Sequence, residues 1–125
     1  MTDSKRVLVV DDDRAIREAL AEALDLEGYE VLTAPDGAQA LEKVQHQRPH
    51  VVLLDLMMPI MDGWAFLRAC REDQRCAETP VVVMSAYSGL AEEVSKLGAS
   101  ACIAKPFELD VLLGSVERLA NRQCQ

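Results

Sequence analysis

The sequence predicts an open three-layer α/β sandwich around a parallel sheet, on three observations. Apolar runs with β-branched residues recur without polar alternation at Val7 to Val10, Val51 to Leu54 and Val81 to Met84, as strands covered on both faces require. Between them, apolar residues return at helical spacing. The chain has 125 residues, half of them apolar, which suits one compact domain and falls well short of the roughly 250 of a TIM barrel.

Each element follows in order. After Val7 to Val10, the residues Ile16, Leu20, Ala23 and Leu24 carry a helix that ends at Gly28. Glu30 to Ala34 forms the second strand, and Gly37 to Gln47 the second helix, with Ala38, Leu41 and Val44 on its apolar face. Pro35 and Pro49 mark the flanking turns. Val51 to Leu54 leads into a helix through Trp64 and Leu67 to Arg71. Val81 to Met84 precedes a helix over Leu90 to Leu97, and Ala101 to Ala104 makes a short fifth strand before a last helix over Glu108 to Ala120. In that helix Leu109, Val111 and Leu112 are expected in the core, with a dimer edge as the alternative. Right-handed crossovers distribute the helices over both faces of the sheet.

A net charge of −8 with thinly spread basic residues argues against direct nucleic-acid binding, which needs a concentrated cationic surface. No apolar run reaches membrane-spanning length and no signal-peptide pattern opens the chain, so a cytoplasmic location is expected. Cys70, Cys76, Cys102 and Cys124 share no CxxC spacing, and His46 and His50 lie too far from them for a zinc site. They are expected as free thiols in a reducing compartment.

The chemistry concentrates where strands end. Val7 to Val10 stops at Asp11, Asp12 and Asp13, Val51 to Leu54 stops at Asp55, and Ala101 to Ala104 stops at Lys105. Parallel neighbouring strands would gather these groups at the carboxyl edge of the sheet, where open α/β proteins bind ligands. Asp11, Asp12 and Asp55 in one small volume repel each other unless a divalent cation or a proton intervenes, and magnesium suits carboxylates combined with a backbone oxygen and water. Asp13 is expected to cap the first helix instead. Lys105 can neutralise phosphoryl oxygens, and Ser85, followed by small Ala86, can donate to them. Pro106 after Lys105 permits a cis peptide without dictating one.

These segments resemble the receiver-domain family of response regulators in two-component signalling. VLVVDDDRAIRE matches the acidic pair, VVLLDLMMPIMDG the phosphoacceptor and its loop, VVVMSAYSG the hydroxyl, and GASACIAKPF the lysine-proline pair. The match runs from about residue 6 to 120, so residues 1–125 are expected to form a single receiver domain with its core at 6–120 and no output domain in this chain. The resemblance implies a CheY-like, flavodoxin-like (βα)5 fold with five parallel strands in the order 2-1-3-4-5.

It also implies roles. Asp55 would be the phosphoacceptor and a metal ligand, Asp12 a direct ligand, Asp11 a ligand acting partly through water, and Met57 a ligand through its backbone carbonyl. Ser85 would be the phosphoryl-responsive hydroxyl and Lys105 the salt-bridging lysine. The cofactor would be Mg2+, with Mn2+ as a substitute. The phosphoryl donor would be a sensor histidine kinase or a histidine phosphotransfer protein, and the output a downstream protein target or an output domain outside this chain, reached through the α4-β5-α5 surface. Such a protein catalyses its own aspartyl phosphorylation and slow dephosphorylation without being a conventional turnover enzyme.

One position departs from the pattern. Receiver domains usually place Tyr or Phe three residues before the lysine, where this chain has Cys102. A thiol cannot fill the volume of an aromatic ring, so coupling to the outer face is affected more than the acidic edge. Tyr87 offers a nearby ring, either as a switching contact or as an exposed loop residue. Cys102 keeps a phosphorylation-independent interaction module as the main alternative. A haloacid-dehalogenase phosphatase would need an acid where Met57 stands, and a nucleotide-binding Rossmann protein a glycine-rich turn where Asp11-Asp12-Asp13 stands.

Overall fold

In the computed structural model, which describes residues 4–86 and 89–122, ten elements alternate along the chain. They are β1 (Arg6–Val10), α1 (Arg14–Leu26), β2 (Glu30–Ala34), α2 (Gly37–Gln47), β3 (Val51–Asp55), α3 (Gly63–Glu72), β4 (Val81–Ser85), α4 (Ala91–Lys96), β5 (Ala101–Ala104) and α5 (Leu109–Arg122). All strand pairs are parallel and the sheet order is β2-β1-β3-β4-β5, as expected.

Side-chain alternation along each strand divides the core in two. Leu8, Val10, Val52, Leu54, Val81 and Val83 face one cluster, closed by Ala40 and Val44 of α2, Phe66, Leu67 and Cys70 of α3, and Val94 of α4. Val7, Val9, Val51, Leu53, Val82 and Met84 face the other, closed by Leu20 and Leu24 of α1 and by Leu112, Val116 and Leu119 of α5. Burial on both faces explains why the strands read as continuous apolar runs.

Three details differ from expectation. Ala38 is exposed and Ala40 is buried, because the inward stripe of α2 runs through Gly37, Ala40 and Val44. On α5, Leu112 is buried but Leu109 and Val111 are exposed; the core stripe continues through Val116, Leu119 and Ala120, at four- and three-residue steps. Cys70 and Cys76 are joined as a disulfide rather than left as thiols, since the turn after α3 brings their Cα atoms to 5.0 Å. Cys102 is free, and Cys124 lies outside the described residues. Among the described residues no helix is long and apolar enough to cross a membrane.

Candidate functional site

The order β2-β1-β3-β4-β5 reverses direction between β1 and β3, and the carboxyl ends of these two strands carry the acids. Val10 pairs with Leu54, so Asp11 and Asp55 leave neighbouring strands at the same level. Asp55 pairs with Met84 and Ser85 with Ala104, which sets Ser85 and Lys105 along the same edge. The backbone N–H of Lys105 donates to the Ser85 carbonyl at 2.7 Å. The Lys105–Pro106 peptide is cis.

Asp11, Asp12 and Asp55 each present a carboxylate oxygen within 4.8 Å of the others. Asp11 and Asp55 are buried, and Asp12 is exposed. The Lys105 ammonium lies between the two buried acids, 2.9 Å from Asp11 Oδ2 and 3.5 Å from Asp55 Oδ1. Asp11 Oδ1 accepts the Asp13 N–H at 2.9 Å, so both of its oxygens are engaged. The Met57 N–H donates to Asp55 Oδ1 at 3.4 Å. Asp13 turns away and caps α1, accepting from the N–H groups of Ala15 and Ile16, as its position predicts.

Burial, and then the neighbouring charge of Asp11, push the Asp55 carboxyl above its ordinary pKa, against the opposing pull of Lys105. Burial alone would lower the Lys105 ammonium, but its hydrogen bond to Asp11 and the charges of Asp11 and Asp55 hold it above the ordinary lysine value. Three carboxylates against one ammonium leave two negative charges when all are ionised, which a divalent cation would offset. The donors are carboxylate oxygens from the turn after β1 and the end of β3, the hard set that magnesium accepts. The residues present therefore fit such an ion.

Two contributors were not singled out from sequence. The Arg17 guanidinium donates to the Asp11 carbonyl at 2.8 Å and pins the acidic turn from α1; a basic residue one turn into the following helix was the available signal. Gly63 lies so close to the end of β3 that a Cβ there would meet the Asp55 carbonyl oxygen at 2.5 Å and Leu56 Cα at 2.6 Å. Cys102 is half-buried on β5 and borders a groove of about 150 Å³ with Ala91, Val94, Ser95 and Ala99 to Ala101. Burial pushes its thiol pKa up. Tyr87 lies outside the described residues.

Comparison with known proteins agrees with this geometry. Residues 7–117 match the model of the response regulator receiver domain. The response regulator MprA of Mycobacterium leprae is 42% identical over 120 residues, covering 94% of this chain and 51% of the relative. That of Mycobacterium ulcerans is 42% identical over 122 residues, covering 95% and 51%. The chain thus spans about half the length of these curated relatives. Among solved structures, the receiver domain of the Francisella response regulator 1452 superposes with a TM-score of 0.90 at 31% identity, over 96% of this chain and 99% of that one. The Thermotoga maritima response regulator TrrA, solved in complex with Mg(2+)-BeF, superposes with a TM-score of 0.83 at 36% identity, over 92% and 98%. The chain belongs to the response regulator receiver domain family, the receiver module of two-component signalling.

Proposed function

We propose that this chain accepts a phosphoryl group on Asp55 from a phosphohistidine and signals through the α4-β5-α5 surface. The observation that carries this reading is the placement of Asp55 at the end of β3, beside Asp11 and Asp12 and within 3.5 Å of the Lys105 ammonium. Asp11, Asp12, Asp55 and the Met57 carbonyl would hold Mg2+, or Mn2+ in its place. When bound, that cation would reduce the repulsion between the acids and the incoming phosphoryl oxygens. A free Asp55 oxygen attacks phosphorus in line as the P–N bond breaks, and the bonding pair stays on an imidazole already protonated at its other ring nitrogen, which leaves neutral. Lys105 then exchanges part of its pairing with Asp11 and Asp55 for the new phosphoryl charge, and the Ser85 hydroxyl donates to a phosphoryl oxygen. Both sit at the head of segments leading to α4 and α5, so pulling on them shifts a pre-existing equilibrium of the outer face.

A sensor histidine kinase or histidine phosphotransfer protein is the proposed donor, in the cytoplasm. The receiver acts as one unit with its core at 6–120, and its output is a separate protein or a domain beyond this sequence. Slow loss of the phosphoryl group to water returns it to the resting state. A phosphorylation-independent interaction module is the second reading, favoured by Cys102, whose thiol leaves β5 without the usual aromatic ring.

Intact-protein mass after incubation with acetyl phosphate and magnesium tests this, beside Asp55→Asn and a magnesium-free control. One added phosphoryl mass that requires both Asp55 and magnesium is expected. No addition under conditions that label an active receiver, repeated with a phosphohistidine donor, leaves the interaction module as the function.

A further inference from the structure

We propose that Cys70 and Cys76 form a reversible thiol-disulfide site, open to low-molecular-weight disulfides, whose state reaches the α4-β5 groove through Arg71. Cys70 closes the buried face of α3, and Cys76 lies in the turn before β4; both are fully buried. Arg71, next to Cys70, reaches over this turn. One of its terminal nitrogens donates to the carbonyls of Cys76 and Ala77, each at 3.0 Å, and the other to the Gly98 carbonyl at 2.8 Å. Among the described residues Arg71 has no carboxylate ion-pair partner, so its charge is held by carbonyls from two separate turns.

Gly98 joins α4 to β5. It is left-handed, with φ 93°, and its Cα faces the Arg71 side chain so closely that a Cβ would meet Nε at 2.7 Å. The next residues, Ala99 to Cys102, form one wall of the groove whose other wall is Ala91, Val94 and Ser95. One guanidinium therefore spans from the cysteine turn to Gly98, the residue before the groove wall that begins at Ala99.

The chemistry supplies the displacement. Disulfide sulfurs sit about 2 Å apart, whereas two thiols need van der Waals separation of about 3.5 Å or more. Cys70 is anchored in α3, so reduction moves the Cys76 turn, and with it the two carbonyls that hold Arg71. Arg71, held to the turn by two carbonyls and to Gly98 by one, then follows the turn and releases the Gly98 carbonyl. Oxidation runs by exchange: one thiolate attacks a sulfur of the small disulfide and expels one small thiolate. The second cysteine thiolate attacks the mixed disulfide and expels the other, so two protein thiols lose two electrons and two protons while one small disulfide becomes two small thiols. Both sulfurs are buried, so exchange proceeds through local opening of the turn. The switch operates whether or not Asp55 accepts a phosphoryl group.

The test equilibrates the full chain across reduced and oxidised glutathione ratios, traps thiols by alkylation and maps them by peptide mass, with hydrogen exchange on the same samples. Cys70 and Cys76 should pass together from dithiol to disulfide within the range, and amides at 97–102 should exchange about fivefold more slowly in the disulfide form. Arg71→Lys should keep the thiol transition and lose that exchange difference, because a point charge cannot span both turns. A pair locked in one state across the range overturns the proposal. So does an exchange difference confined to residues 71–79, or one at 97–102 that persists in a Cys70→Ser/Cys76→Ser variant. If that variant does not fold, the wild-type thiol and exchange profiles decide.

Discussion

The Lys105 ammonium donates to Asp11 at 2.9 Å across 94 residues of sequence, tying the end of β5 to the end of β1 over the ends of β3 and β4 between them. Asp11 is fully buried, so this bond is its main compensation for leaving water. Lys105→Met should lower stability by about 3 kcal/mol without magnesium, because a buried carboxylate loses its cation. Urea midpoints measured with and without magnesium check this. The loss should shrink when magnesium is added, and an equal loss in both conditions would mean that the lysine and the cation do not compensate the same charge.

Asp55→Asn should move stability the other way. The carboxylate is buried and repelled by Asp11, and an amide of the same shape removes both costs while Met57 can still donate to its oxygen. A gain of about 1 kcal/mol in metal-free buffer is expected, with a smaller magnesium-induced rise in Tm than in the parent protein. A variant less stable than the parent without magnesium would show that Asp55 is held by attractions stronger than its repulsion.

How much of this was legible depends on which level of structure wrote the signal. The strands were readable because both of their faces are buried, so Val51 to Leu54 needs no polar alternation and stands out. Asp11, Asp55 and Lys105 were readable because each terminates such a run, and parallel strands necessarily gather their carboxyl ends. Arg17 was not, since its role depends on the rotation of α1 that aims a long side chain at a backbone carbonyl. The Cys70–Cys76 pairing was hidden for a similar reason: a six-residue separation means nothing until the turn closes. Leu109 and Val111 were misplaced because an apolar cluster at a helix start does not reveal where the 100° stripe begins.

His50 gives the fold a pH dependence remote from the acids. Its Nδ1 accepts the Arg6 N–H at 2.9 Å, joining the starts of β3 and β1, and only an unprotonated Nδ1 can accept. Burial, then the charges of Lys5 and Arg6, lower its pKa below the ordinary histidine value. The unfolded chain therefore takes up the proton first. The stability from this group is fully present above the ordinary value and is lost as pH falls through the lower folded value. His50→Gln should flatten the decline in urea midpoint between about pH 7 and pH 5. An unchanged slope would assign the decline to other groups.

Ile60 is a β-branched residue at φ 68°, 86% exposed, in the loop after β3. The left-handed region costs such a side chain roughly 1–2 kcal/mol, and exposure leaves little packing to offset it. Ile60→Asn should raise the urea midpoint by an amount worth about 1 kcal/mol, since asparagine tolerates this conformation. A loss of stability would show that the exposed side chain makes compensating contacts in solution.

Gly63 connects the fold to the chemistry most directly. Its N–H donates to the Leu56 carbonyl at 2.9 Å, which closes the loop between β3 and α3 against the strand that carries Asp55. A Cβ would collide with the Asp55 carbonyl oxygen and Leu56 Cα, both backbone positions that cannot rotate aside. Gly63→Ala should therefore cost about 1–3 kcal/mol and also displace the Asp55 backbone. Gly114→Ala is the matching control, because nothing lies within 4 Å of its added methyl and it sits inside α5, where alanine is preferred. It should stabilise by up to about 1 kcal/mol. If acetyl phosphate labels Gly63→Ala more slowly than the parent at a temperature where both are folded, and Gly114→Ala at the parent rate, the close approach at Gly63 sets the position of the acceptor carboxylate. Equal labelling of all three would confine its role to stability.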